Sequence, residues 1–161
     1  TCALPILLSV FLGTSVVSLL TLGFIADRIG GLRTLLAAST LQAAAILLFA
    51  FVHDLVDLYG VAVLFGLGFG GLVPSYAIVI REVFPAAEVG KRIAIVFMGG
   101  TCGMALGGWL AGLVFDHFGH YHPAFFMGFV VNLANIAIML FLLPRWLAHR
   151  RATRAARLAP A

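Results

Sequence analysis

Apolar residues fill five long blocks of this chain, and charged residues fall in the short gaps between them. Residues 1–26 hold no Asp, Glu, Lys or Arg and end at the pair Asp27-Arg28. The second block, 34–53, is bounded by Arg33 and Asp54, with His53 at its edge. The third, 58–80, stops at Arg81-Glu82, and the fourth, 93–115, lies between Arg92 and Asp116. The fifth lies within 117–144, from Pro123 to Leu143. A bilayer's hydrocarbon core is about 30 Å thick, a distance that a helix covers in about 20 apolar residues. Each block therefore predicts one membrane-crossing helix, at about 3–26, 34–53, 58–80, 93–115 and 123–143. Barrel strands would alternate apolar and polar positions over about 10 residues, a pattern these blocks lack. The expected fold is all-α integral membrane with five transmembrane helices.

Composition sharpens this reading. Apolar residues make up 63% of the chain and charged residues 10%, against about 25% charged in a soluble domain. Mean hydropathy is +1.13. So few charges cannot coat a water-facing surface, and a soluble domain is excluded. Cys2 sits at the extreme terminus and Cys102 in an apolar block, so no disulfide framework exists. The chain opens Thr1-Cys2-Ala3 without Met or a basic leader region, and is read as starting inside a longer protein near a helix start.

The basic residues set the expected orientation. With five spans, the 27–33 loop, the 81–92 loop and the segment after 145 share one side. They hold Arg28, Arg33, Arg81, Lys91, Arg92, Arg145, Arg150, Arg151, Arg154 and Arg157, which are all 10 Lys and Arg residues of the chain. The opposite loops carry Asp54, Asp57 and Asp116. The basic side is expected to be cytoplasmic, with the chain's amino terminus outside. The net charge of +4 is then an orientation signal and not a nucleic-acid footprint. Residues 146–161 read as a basic cytoplasmic tail, a topology anchor with a capacity to meet anionic lipid.

The most specific local pattern is Gly23-x-x-x-Asp27-Arg28-x-Gly30-Gly31-x-Arg33. Gly23 would let a neighbour approach, and Gly30-Gly31 would supply the positive φ values of a tight reversal. Asp27 could dock on the positive end of a neighbouring helix, an interaction of up to about 2 kcal/mol when partly buried. It would hold one conformation shut. This loop resembles the cytoplasmic motif of the major facilitator superfamily, with Gly23, Asp27, Arg28 and Gly30 matching. The family's two basic residues after the last glycine are replaced by Gly31 and Leu32, with Arg33 one step later. The loop Arg81-Glu82…Phe84-Pro85…Gly90-Lys91-Arg92 resembles that family's loop between helices 10 and 11. The resemblance implies that residues 1–145 are helices 8 to 12 of a twelve-helix transporter, whose amino-terminal helical bundle would be this chain's partner. The stretch from Tyr59 to Tyr76 and the Asp116…Gly119…Tyr121 segment look like the monocarboxylate-porter branch.

Gly99, Gly103 and Gly107 recur every four residues, and Gly108 and Gly112 repeat the step, so both rows predict close helix packing. The third span carries Gly66, Gly68, Gly70 and Gly71 before Pro74. Proline frees a backbone carbonyl, and interrupted helices often line transport cavities. Pro74, Ser75 and Tyr76 are therefore cavity candidates, joined by Thr14, Ser18 and Thr101. Gln42, Asn132 and Asn135 read as interhelical links. No Asp, Glu, Lys or Arg lies within a span, so charged proton relays or counter-ions would have to come from elsewhere in an intact carrier. His117, His120 and His122 share a loop without metal-ligand spacing. No nucleophile–base pair, phosphate loop or zinc motif occurs, and neither enzyme activity, metal nor cofactor is expected.

The residues and the resemblance together imply part of a secondary transporter in a bacterial inner membrane. It would move a small organic solute, with a monocarboxylate-like anion as one candidate, by alternating access. A non-transporting membrane scaffold and a drug or metabolite efflux carrier of the same fold are the alternatives.

Overall fold

The computed structural model describes residues 3–52 and 54–158, with side-chain surroundings for 5–52 and 54–148. Cys2, His53, Arg150, Arg151, Arg154 and Arg157 fall outside the described side chains. Five helices follow in chain order: α1 (Ala3–Ile29), α2 (Gly31–Phe49), α3 (Leu55–Val83), α4 (Ala86–Phe118) and α5 (His122–Leu158). All five are long and apolar enough to cross a membrane. Helices suit lipid because each satisfies its own backbone hydrogen bonds, which no water is present to do.

The helices outrun the charge-free blocks. α1 continues through Asp27 and Arg28, α4 starts at Ala86, and α5 passes through Pro144 to Leu158. Charge marks where a helix leaves hydrocarbon, whereas the helix itself ends only where the backbone ladder is broken. Between α1 and α2 that break is Gly30, at φ 98°. Between α3 and α4 it is the extended pair Phe84 (φ −114°, ψ 150°) and Pro85 (φ −64°, ψ 147°). Gly119, at φ 73°, closes α4 with its N–H on the Phe115 carbonyl at 2.7 Å, a left-handed helix end that glycine favours. Stacking of Phe115 on Tyr121, 4.5 Å between centroids, seals the turn into α5.

α3 lies between α1 and α2, α5 packs on α2, and α4 touches only α3 and α5 among the described residues. The α3 glycines make this sandwich possible. A Cβ built on Gly66 would stand 2.8 Å from the Phe11 carbonyl of α1. One on Gly68 would meet the Gln42 nitrogen of α2 at 2.9 Å, and one on Gly70 would overlap the Ser15 carbonyl and lie 2.8 Å from the Ser18 Cβ. Gly66 and Gly70 thus form a small-xxx-small face toward α1, while Gly68 faces α2.

The two glycine-rich spans differ in how far their small faces are used within these residues. Gly99, Gly103, Gly107, Gly108 and Gly112 of α4 have no other described atom within 4 Å of a built Cβ, and no residue of α4 is buried. Gly23 likewise has open space beside it. Spacing shows that a helix has a small face; only the arrangement of helices shows whether that face is used.

Overpacking a tight site costs about 1–3 kcal/mol. In the 161-residue chain, Gly70→Ala should lower stability by about that amount, whereas Gly103→Ala should leave it unchanged or slightly raised. Thermal unfolding of both variants in detergent reads the contrast.

Candidate functional site

The polar residues singled out from the sequence sit on different faces of the bundle. Thr14 donates to the Val10 carbonyl at 2.6 Å, Thr21 to Val17 at 2.9 Å, and Thr101 to Phe97 at 2.9 Å. All three hydroxyls bond back one turn, a common resolution for Ser and Thr in apolar helices. Ser18 differs, being buried and donating across the interface to the Leu67 carbonyl of α3. Ser75 is fully buried and donates to the Gly71 carbonyl at 2.6 Å.

α3 runs unbroken through Pro74, so the interruption expected there is absent. A proline leaves one carbonyl unbonded, and helical backbone continues on both sides of it. Tyr76 points toward α5, where its hydroxyl meets Asn135. Of the predicted interhelical amides, Asn135 therefore makes an α3–α5 link. The six cavity candidates do not line one common cavity. Thr101 stands exposed on α4, Ser18 lies between α1 and α3, and Tyr76 faces α5.

A cavity of about 460 Å³ opens among α1, α2, α3 and α5, with Leu7, Phe11, Ile46, Phe49, Phe65 and Phe125 in its lining. Phe11 and Phe65 stand 5.6 Å apart, and Phe49 stacks on Phe125 at 5.6 Å. Aromatic rings gain from such offset and tilted contacts beyond their burial. Every lining side chain is apolar, so the cavity suits a ring or chain and offers no partner to a carboxylate. Period-3.6 reading could not have found it, because its phenylalanines come from four separate helices.

The α1–α2 loop is the most constrained local structure. Gly30 takes the positive φ, while Gly31 is already helical and serves a different purpose: a Cβ there would stand 2.8 Å from the Val79 nitrogen and 2.9 Å from the Ser75 carbonyl of α3. The second glycine is thus required by contact and not by the turn. Asp27, Arg28 and Arg33 are exposed, and Arg28 lies over the Phe24 ring at 4.4 Å. The Asp27 side chain makes no hydrogen bond or ion pair with another described residue. On the α3–α4 side, Arg92 pairs with Glu88 at 2.6 Å and covers the Phe84 ring at 3.8 Å. Exposed i,i+4 ion pairs stabilise only by about 0.3–0.5 kcal/mol, so this pair shapes the loop more than it strengthens the fold.

Sequence reading passed over Ser39, which is fully buried in α2 with its hydroxyl unpartnered among the described residues. It also passed over Trp146, buried beside Leu32, Leu35 and Met139 with its Nε1–H donating to Glu82 at 2.9 Å. The position of Trp146 just after the last apolar block concealed it.

Comparison with known proteins adds a family match and three relatives. The family model described as Major Facilitator Superfamily matches residues 3–160. A gallate transporter of Pseudomonas putida is 31% identical over 136 residues, covering 83% of this chain and 30% of that protein. A 4-hydroxybenzoate transporter of Pseudomonas aeruginosa is 30% identical over 122 residues, 76% of this chain and 27% of its own length. A Cronobacter sakazakii protein provisionally named for multidrug resistance is 28% identical over 129 residues, 80% of this chain and 27% of its own. The chain thus spans about 30% of the length of the curated relatives it matches.

A membrane hydroxyl that bonds across helices contributes about 0.6 kcal/mol on average and up to about 1.7 kcal/mol. Ser18→Ala should therefore destabilise the chain measurably. Thr21→Ala, which removes only a bond within its own helix, should not. Chemical denaturation in mixed micelles compares the two.

Proposed function

Because this chain belongs to the major facilitator superfamily, we propose that the protein containing it carries a small aromatic carboxylate across a bacterial inner membrane. The observation that carries this reading is the 31% identity to a gallate transporter over 136 residues. A second relative named for 4-hydroxybenzoate supports the same chemical class, which lies within the monocarboxylate-like anions that the family resemblance implies. The five helices would form one side of the carrier. An opposing helical bundle, outside these residues, would complete a site between the two, and alternating access would proceed by rocking of one bundle against the other.

The chemistry of these helices limits what they would contribute. They offer aromatic walls and hydroxyls but no cation within the apolar blocks, so the substrate carboxylate would find its charge partner on the opposing bundle. The open glycine faces of α4 are suited to close approach by that bundle. Asp27 would act as a latch: exposed and unpaired among the described residues, it can meet a helix amino terminus in one of the two conformations. Gly23, Arg28, Gly30 and Arg33 would shape the loop around it. Thr14, Ser18, Pro74, Ser75, Tyr76 and Thr101 remain the candidates for contact with solute in some stage of the cycle. The relative provisionally named for multidrug resistance favours efflux of an apolar compound as the second reading.

Cells expressing the full-length protein should show saturable uptake of labelled gallate or 4-hydroxybenzoate, inhibited by the other acid. Ethidium efflux without acid uptake would favour the second reading. Asp27→Asn should lower the maximal uptake rate by about tenfold at unchanged expression, a loss of about 1.4 kcal/mol in the rate-limiting barrier. Unaltered kinetics would reduce the loop to a turn. Orientation is tested separately. A cysteine introduced at His120 should react with an impermeant maleimide added outside the cell, and one introduced at Arg157 should react only after permeabilisation. Labelling of both from one face would overturn the proposed topology.

A further inference from the structure

One end of the bundle holds a contact that ties together the two loops on that side. Trp146 follows Pro144 in α5 and is 5% exposed. Its ring belongs to a buried cluster with Leu32 and Leu35 of α2 and Met139 of α5, against which Val79 and Tyr76 of α3 also pack. Its indole N–H reaches past that cluster to Glu82 Oε2 at 2.9 Å. A hydrogen bond to a carboxylate is stronger than one between neutral groups, and the half-buried position of Glu82 limits competition from water.

The two groups joined by this bond stand beside two interhelical connections. Leu32 directly follows Gly30-Gly31, and Gly31 is seated on the Ser75 and Val79 backbone. Glu82 is followed within two residues by Phe84-Pro85, the extended joint from which α4 departs. That joint is stiffened on its far side by Arg92 over Phe84. α4 itself touches only α3 and α5, so the angle at which it leaves α3 is set largely at this joint. Tryptophan is suited to the task because its large ring fills the cluster while one polar atom aims outward.

We propose that Trp146 is a positioning residue of the transport cycle: it fixes Glu82, and through Glu82 the α3–α4 joint, relative to the α1–α2 loop. The inference rests on the transport reading for its consequence but not for its structural test. Movement of α4 would be felt at Gly30-Gly31 through the indole, and release of the bond would let α4 change its angle independently of that loop.

Cys102, exposed on α4 among the described residues, serves as the labelling site on that helix and needs no substrate. The experiment uses the full-length protein in native membranes and measures N-ethylmaleimide modification of the Cys102 peptide by mass spectrometry. Trp146→Phe keeps most of the ring but removes the donor, and Glu82→Leu removes the acceptor. Each should change the modification rate at least threefold, and the double variant should match the single ones. Glu82→Gln retains an accepting oxygen and should stay within twofold of the parent, which a role for charge alone would not allow. In gallate uptake, Trp146→Phe and Glu82→Leu should lower maximal velocity at least threefold with KM unchanged. Parent-like Cys102 rates in Trp146→Phe and Glu82→Leu would overturn the inference, as would equal effects of Glu82→Gln and Glu82→Leu. A parent protein that takes up no gallate would count against the transport reading alone, and the labelling comparison would still decide the role of Trp146.

Discussion

Direct approach of helix backbones along α3 is the constraint on which the bundle depends. In lipid, apolar side chains gain little by leaving hydrocarbon for a protein interior, so helix association must draw on close packing and interhelical hydrogen bonds. Gly66 and Gly70 supply such packing toward α1, and Gly68 supplies it toward α2. The Ser18 hydroxyl then reaches the Leu67 carbonyl of α3, a bond possible only at that separation. Once α1, α3 and α2 are locked in this order, α5 finds its place on α2 through the stacked pair Phe49–Phe125 and the cluster around Leu32, Leu35 and Met139.

α4 stands apart from that construction. Its glycine rows and large apolar residues such as Met104 and Trp109 are exposed, and it is joined to the rest mainly through its two ends. A helix whose small-residue faces meet no other helix among the described residues is suited to contact with further helices. In a carrier that rocks two bundles, the elements meeting the opposing bundle must have surfaces that part and rejoin, and smooth glycine faces interlock less than large side chains do. Under the proposed carrier reading, tight and loose regions would divide by role, with α3 as the fixed spine and α4 as the contact surface.

The end of the bundle that carries the α1–α2 and α3–α4 connections combines turn, seat and clamp within a short distance. Gly30 turns the chain, Gly31 seats it on α3, and Trp146 clamps the base of α4 through Glu82. Three arginines lie over aromatic rings, with Arg28 on Phe24, Arg92 on Phe84 and Arg145 on Phe141. Such contacts hold cations at the edge of the apolar region, where their charge stays hydrated while the stems lie on apolar surface.

The sequence alone determined the number of helices, their fitness for a membrane and the position of the sharp turn at Gly30. Each of these depends on residues close in the chain: hydropathy is a local sum, and a positive φ belongs to one residue. The motif Gly23-x-x-x-Asp27-Arg28-x-Gly30 was legible for the same reason, and the family followed from it. The tertiary structure decided which glycines are used. The rows of α4 have the more regular spacing, yet the contacts fall on α3, because a small face matters only where another helix lies against it. It also decided that Gly31 serves contact, that α3 continues through Pro74, and that Trp146 meets Glu82 across 64 positions of chain. Those outcomes depend on how helices distant in sequence are placed relative to one another, and no local pattern of residues carries that information.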